Sequence, residues 1–118
     1  MRALILLLAI APQLSQAAPV CDVLCTAVEQ CRDDARSHCA PSATTICIAP
    51  RSGNKVHLYI SGKGPYPARE TTDGSARVLT LTAFGGGHVL TIQPDGQFLY
   101  LGNYSKRYTG QCAGSEDS

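Results

Sequence analysis

Two periodicities run along the chain, and they change over near residue 43. Over 20–37, Val20, Leu24, Ala27, Val28, Cys31 and Ala35 recur at spacings of three and four, with Arg32, Asp33, Asp34 and Arg36 between them. That spacing predicts an amphipathic helix, with a Cys-bound irregular segment as the competing reading. Ala40-Pro41-Ser42 ends either one. From Ala43 onward the period drops to two. Residues 44–48 are β-branched and strand-like, 50–54 form a turn cluster, and 55–61 read as a second strand. In that strand Val56, Leu58 and Ile60 share one face, while His57 and Tyr59 share the other.

Residues 62–75 (GKGPYPARETTDGS) carry Gly, Pro and mixed charge, which predicts a long loop. The last third is the most regular. Strands are expected over 76–84, 88–93 and 97–102, separated by Gly85-Gly86-Gly87 and Pro94-Asp95-Gly96. Pro94 suits the second position of a type I turn and Gly96 the left-handed position after it. This turn pairs Gln93 with Gln97, so that Ile92 faces Phe98 and Leu90 faces Tyr100. Val89, Thr91, Leu99 and Leu101 gather on the opposite face. Two apolar faces call for a sheet covered on both sides or curled into a small barrel. One more strand fits 104–112. The expected fold is mainly β, with α+β as its variant: a small disulfide-stapled antiparallel sheet or partly closed barrel of about five strands. The Cys-rich N-terminal segment packs on it.

The first residues stand outside this scheme. Arg2 precedes nine uncharged apolar residues (ALILLLAIA), Pro12 follows, and Ser15-Gln16-Ala17 places small residues for a cleavage. This is the pattern of a secretory signal peptide, cut after Ala17. A membrane-spanning helix would need about 20 apolar residues. The expected organisation is therefore a signal peptide over 1–17, a single disulfide-rich domain over 18–113 and a polar tail over 114–118. The destination is secreted or periplasmic.

Composition adds three constraints. The 118 residues hold 10 basic and 9 acidic side chains; without Arg2 the two balance. A neutral chain lacks the charge for a general grip on nucleic acid. No other stretch could span a bilayer as a helix. The six Cys at 21, 25, 31, 39, 47 and 112 suit a disulfide framework in an oxidising compartment. Their pairing stays open, except that Cys112 has no local partner and must join the N-terminal cluster if all six pair. Such a long closure stabilises by about 4 kcal/mol in the chain-entropy model. There is no C-x2-C pair, and His38 beside Cys39 is a weak metal signal, so neither metal nor cofactor is expected.

Motifs for nucleophilic, zinc, calcium or phosphate-loop chemistry are absent. Glu70, Arg77, His57 and His88 are the residue types that metal-free RNA cleavage requires. One group takes the 2′-OH proton, another protonates the leaving oxygen, and Arg steadies the phosphate. Val20-Cys21-Asp22-x-x-Cys25, the late Cys112 and Ala76-Arg77-Val78 resemble the frame and arginine strand of fungal guanyl-specific ribonucleases. The resemblance implies that chemistry for those four residues. It departs where that family places a histidine before its final Cys, since 101–111 (LGNYSKRYTGQ) has none.

Tyr59, Tyr66, Tyr100, Tyr104 and Tyr108 are the main aromatic resource. Tyr104, Lys106, Arg107 and Tyr108 form a basic-aromatic stretch suited to a phosphate, a glycan or an acidic partner surface. Asn103-Tyr104-Ser105 is a glycosylation sequon if the host is eukaryotic. The leading expectation is a small exported non-catalytic protein that binds a protein or glycan partner as an inhibitor, effector or envelope protein. In size and β character the chain is similar to small periplasmic lysozyme inhibitors, although no motif matches them. The alternatives are a secreted ribonuclease-like hydrolase and a structural envelope protein with no discrete site.

Overall fold

The computed structural model describes residues 20–33, 38–53, 55–84 and 87–114, with the side chain of Tyr104 outside that set. The expected signal peptide and residues 115–118 of the expected tail lie outside the described residues. Alternating side chains build nine strands: β1 (Val23–Arg32), β2 (His38–Pro41), β3 (Thr45–Ile48), β4 (Val56–Ile60), β5 (Lys63–Asp73), β6 (Ala76–Leu81), β7 (His88–Ile92), β8 (Gln97–Leu101) and β9 (Lys106–Gly114). A single 3-10 turn, Asn103–Ser105, is the one helical element among the described residues.

All strands belong to one antiparallel sheet in the order β2-β1-β3-β4-β5-β6-β7-β8-β9, and β9 returns to pair with β1. β2 and β3 lie end to end along the same side of β1, opposite Glu29–Arg32 and Val23–Thr26 respectively. Bonds from Ser42 N to Val28 O and from Ala27 N to Thr44 O continue the ladder between them. They form one stave, so the sheet is a closed eight-stranded barrel. Closure removes the open edges that an antiparallel sheet of this length would otherwise expose. Only β2, short and exposed along its whole length, keeps a free edge among the described strands.

One side chain from every second position fills the barrel. Ile46, Ile48, Leu58, Leu79, Leu81 and Leu90 are almost fully buried, with Cys25, Ala27, Val56, Ile92, Phe98 and Tyr100 around them. Burial of each Leu or Ile contributes about 1.5–3 kcal/mol. The 88–101 hairpin has the register its turn chemistry predicts: Ile92 opposes Phe98, Leu90 opposes Tyr100, and Gln93 N bonds Gln97 O.

Three expectations are corrected. Where a helix is expected over 20–37, the described residues 20–33 hold β1 and no helix. The apparent helical stripe counted Val20, Leu24 and Val28, which are 72%, 42% and 65% exposed. The inward set is Cys25 and Ala27, and a bulge between Ala27 and Glu29 then shifts the phase. That bulge disguises a period of two as one of three to four. Gly110 on β9 serves the same place, since a Cβ there would collide with the Thr26 carbonyl.

The second correction is the loop expected over 62–75, which contains the 11-residue strand β5. Its Tyr66, Ala68 and Glu70 alternate inward among exposed Pro65, Pro67, Arg69 and Thr71. The prolines do not break the strand, because Pro67 needs only to accept, and it does so from Thr82 N. At Gly64 a Cβ would stand 2.7 Å from the Leu58 carbonyl oxygen, so glycine permits the close approach of β5 to β4. The third correction follows from the other two: the sheet has nine strands rather than about five, and it is fully closed.

All six Cys pair: Cys21–Cys47, Cys25–Cys112 and Cys31–Cys39. Cys112 joins the N-terminal cluster as expected. Cys25 and Cys112 face each other across β1 and β9, so the bridge staples the seam where the barrel closes. Such bridges are compatible with an extracellular or periplasmic location.

Candidate functional site

The barrel has two ends, and each carries inward-pointing polar groups. One end is formed by the end of β4, the start of β5, the residues after β6, the start of β7, the end of β8 and the start of β9. The other is formed by the opposite termini of these strands and by the turns at 50–53, 74–75 and 94–96.

At the first end a cavity of about 350 Å³ opens between Ile60, Ser61, Lys63, Tyr66, Phe84, His88, Tyr100, Gly102, Asn103, Lys106 and Tyr108. Five rings follow one another around it. Tyr66 and Phe84 have centroids 5.0 Å apart, Phe84 and His88 4.4 Å, His88 and Tyr100 5.9 Å, and Tyr100 and Tyr108 5.8 Å. Register explains the convergence, because β7, β8 and β9 place His88, Tyr100 and Tyr108 on inward positions near one rim.

His88 is the one buried polar or charged residue among the described residues. Its Nε2 lies 2.8 Å from Asn103 Oδ1 and its Nδ1 lies 2.8 Å from the Tyr100 hydroxyl. An amide oxygen only accepts, so Nε2 donates to Asn103, and in the neutral ring Nδ1 accepts from the Tyr100 O–H. Both ring nitrogens are therefore satisfied by neutral partners. Burial, with smaller effects from Tyr108 and Tyr66, pushes the Tyr100 phenol up to about 12. Among the described residues, Ser61, Tyr66, Tyr108, Lys63 and Lys106 have no side-chain hydrogen bond or ion pair, and no carboxylate lines the cavity.

The second end is chemically different. Glu70, on inward-facing β5, receives Arg77 Nε at 2.7 Å and Arg77 Nη2 at 3.1 Å. Arg51 Nη2 adds a contact of 2.7 Å from the β3–β4 turn. The Arg77 hydrogen bond, helped by the charges of Arg77 and Arg51, holds the Glu70 carboxyl below its ordinary range against the opposing effect of burial. A shallow cavity there is lined by Val23, Arg77, Ile92, Cys112 and the 93–96 turn.

The sequence-derived candidates thus fall into separate places. Glu70 and Arg77 meet in an ion pair at one end. His88 lines the cavity at the other, and His57 sits half-buried in β4 opposite Pro67, with neighbours Val56 and Leu58 buried in the core. None of the other three lines the cavity of His88. The basic-aromatic stretch is divided by the barrel wall. Lys106 and Tyr108 line the cavity, whereas Arg107 borders an outer groove with Thr91, Leu99 and Thr109 and makes a bidentate pair with Asp33 at 3.0 and 3.1 Å. Tyr104 contributes its backbone to the 3-10 turn that positions Asn103. His38 is exposed on β2. Glu29, Cys31 and Cys39 bring ligand atoms within 4.8 Å of one another, but the two sulfurs are joined in a disulfide and offer no thiolate.

Two contributors escaped the sequence reading altogether. In the sequence Phe84 is only the last residue of the strand expected over 76–84, and Lys63 falls in the loop expected over 62–75. Asn103 stood out as a sequon, not as the partner of a histidine. No helix among the described residues is long and apolar enough to cross a membrane. Comparisons with protein-family models, curated proteins and solved structures found no match to this chain.

Proposed function

We propose that this chain is a small exported binding protein, not a catalyst, and that its partner, a protein or a glycan, docks at the open aromatic end of the barrel. The observation that carries this reading is the cavity itself: a ring-lined opening on a closed scaffold, with hydroxyls and cations that have no hydrogen-bond or ion-pair partner among the described residues. Pre-formed concave sites of about 300–1,000 Å³ with a few placed polar groups are the usual form of ligand sites. The non-catalytic part of the reading is supported by His88. A general base needs a ring nitrogen free to reach a substrate proton. Here both nitrogens are occupied, and the carboxylate a ribonuclease would recruit is tied to Arg77 and Arg51 at the other end. Export follows from the N-terminal pattern and accords with three disulfides.

Partner capture from the native compartment, followed by isothermal titration of the purified pair, tests the reading. Tyr108→Ala and Phe84→Ala are expected to weaken binding, while Thr91→Ala on the outer wall leaves it unchanged. Turnover of RNA or polysaccharide that His88→Ala abolishes would overturn it.

A further inference from the structure

We infer that the open end binds an acidic sugar: one ring bearing a carboxylate or sulfate, seated on Phe84 with its anion between Lys63 and Lys106. This rests on the open end being the binding site and adds the class of ligand.

Three observations select that class. The first is charge. Lys63 and Lys106 line the cavity, and among the described residues neither has an ion pair and no Asp or Glu lines it. Of the carboxylates elsewhere, Glu70 is engaged by Arg77 and Arg51, and Asp33 by Arg107. Two unbalanced ammonium groups at a cavity mouth favour an anion.

The second is an exposed ring. Phe84 is 40% exposed, although its ring packs against His88 and Tyr66. The cluster fixes the phenyl group in place and leaves part of it open. Such a rigid ring can cover the C–H face of a sugar at low entropic cost, since its rotamer is already ordered.

The third is the density of unspent hydrogen-bonding groups. The hydroxyls of Ser61, Tyr66 and Tyr108 carry no hydrogen bond among the described residues. Asn103 gives only its oxygen to His88, which leaves the amide N–H groups available. A sugar ring presents several hydroxyls at short spacing and can satisfy them together. An acidic peptide side chain would use the lysines and leave these groups unmatched. The cavity of about 350 Å³ accommodates one ring and part of a second.

The test uses the disulfide-bonded protein without its leader, by isothermal titration and by amide chemical shifts. The probes are trigalacturonate, sialyllactose and lactose sulfate, with lactose and hexa-aspartate as comparators. At least one acidic sugar is expected to bind about tenfold or more tightly than lactose, as one charge-assisted contact implies. Its binding is expected to fall to the lactose level in the Lys63→Met/Lys106→Met double variant and to weaken with rising salt. The carboxylated and sulfated probes separate the two sources of the anion. Equal binding of lactose, tighter binding of hexa-aspartate, or no shift by any acidic sugar would overturn the inference. In the hexa-aspartate case, sensitivity to Phe84→Ala would retain the open end as a protein-binding site. Insensitivity of every ligand to Phe84→Ala and Tyr108→Ala would instead remove the open end from the proposal altogether.

Discussion

The two ends of the barrel are built from the same strands and both receive polar side chains, yet they resolve the cost of inward polarity differently. At the Glu70 end, opposite charges satisfy each other: one carboxylate takes three contacts from two arginines. At the His88 end, Tyr100 and Asn103 satisfy the two nitrogens of the buried ring, and the cations around it have no counter-ion among the described residues. A saturated polar cluster seals a barrel; an unsaturated one leaves it receptive. The difference shows that polarity inside a barrel does not by itself mark a site. The proposed site rests instead on polar capacity that the described residues leave unused.

The largest expected effect breaks the sealed end covalently. Replacing both Cys25 and Cys112 by Ala frees the seam between the first and last strands, and stability to urea is expected to fall by about 4 kcal/mol. Next, Arg77→Met leaves Glu70 with Arg51 alone and is expected to cost about 2 kcal/mol in the same measurement. Binding at the open end should persist at concentrations of denaturant where the variant stays folded. If Arg77→Met abolishes binding in the folded protein, the ends are not independent.

The same contrast can be drawn with pH. The Glu70 pKa is lowered in the fold. Its contribution is therefore present above the ordinary carboxylate value and is lost as pH falls through the depressed one. Glu70→Gln is expected to flatten the acid limb of the stability curve below the ordinary carboxyl value of 4.5. Tyr100 has the opposite sign. Its phenol is raised from 10.0 to about 12, so its contribution is complete below pH 10 and is lost as pH rises towards 12. Phenolate absorbance is expected to show one late-titrating tyrosine that Tyr100→Phe removes, with a stability cost near neutral pH of about 1 kcal/mol for the lost bond to His88. The smallest effect is that of Phe84→Ala. With 40% of Phe84 exposed, the stability change should stay within about 1 kcal/mol, so that any loss of binding reports on the site.

Legibility from the sequence followed the locality of the signal. The 88–101 hairpin was readable to the residue pair, because turn and alternation both lie within 14 consecutive positions. The pairing of Cys112 with the N-terminal cluster followed by elimination. β1 was misread because a bulge imitates helical spacing, and β5 because Gly64, Pro65 and Pro67 carry turn chemistry into a strand held by two neighbours. The candidate site is half visible in the sequence. Tyr108, Lys106 and His88 were singled out, but for separate roles, since only the barrel register joins them. Phe84 and Lys63 acquire meaning from strands far off in sequence. Arg107, adjacent to both Lys106 and Tyr108, illustrates the limit: a strand sends consecutive residues to opposite sides of a wall.

The pairing of β1 with β9 has a consequence for presentation. Val23 and Gly114 are partners in that ladder, so the barrel's first and last residues leave it side by side, at the sealed end. A tag, a fused domain or a tether to a surface joined through either residue would hang from the same pole. The aromatic opening would then point outward like the bowl of a stemmed cup, with its approach clear whichever terminus is used for attachment.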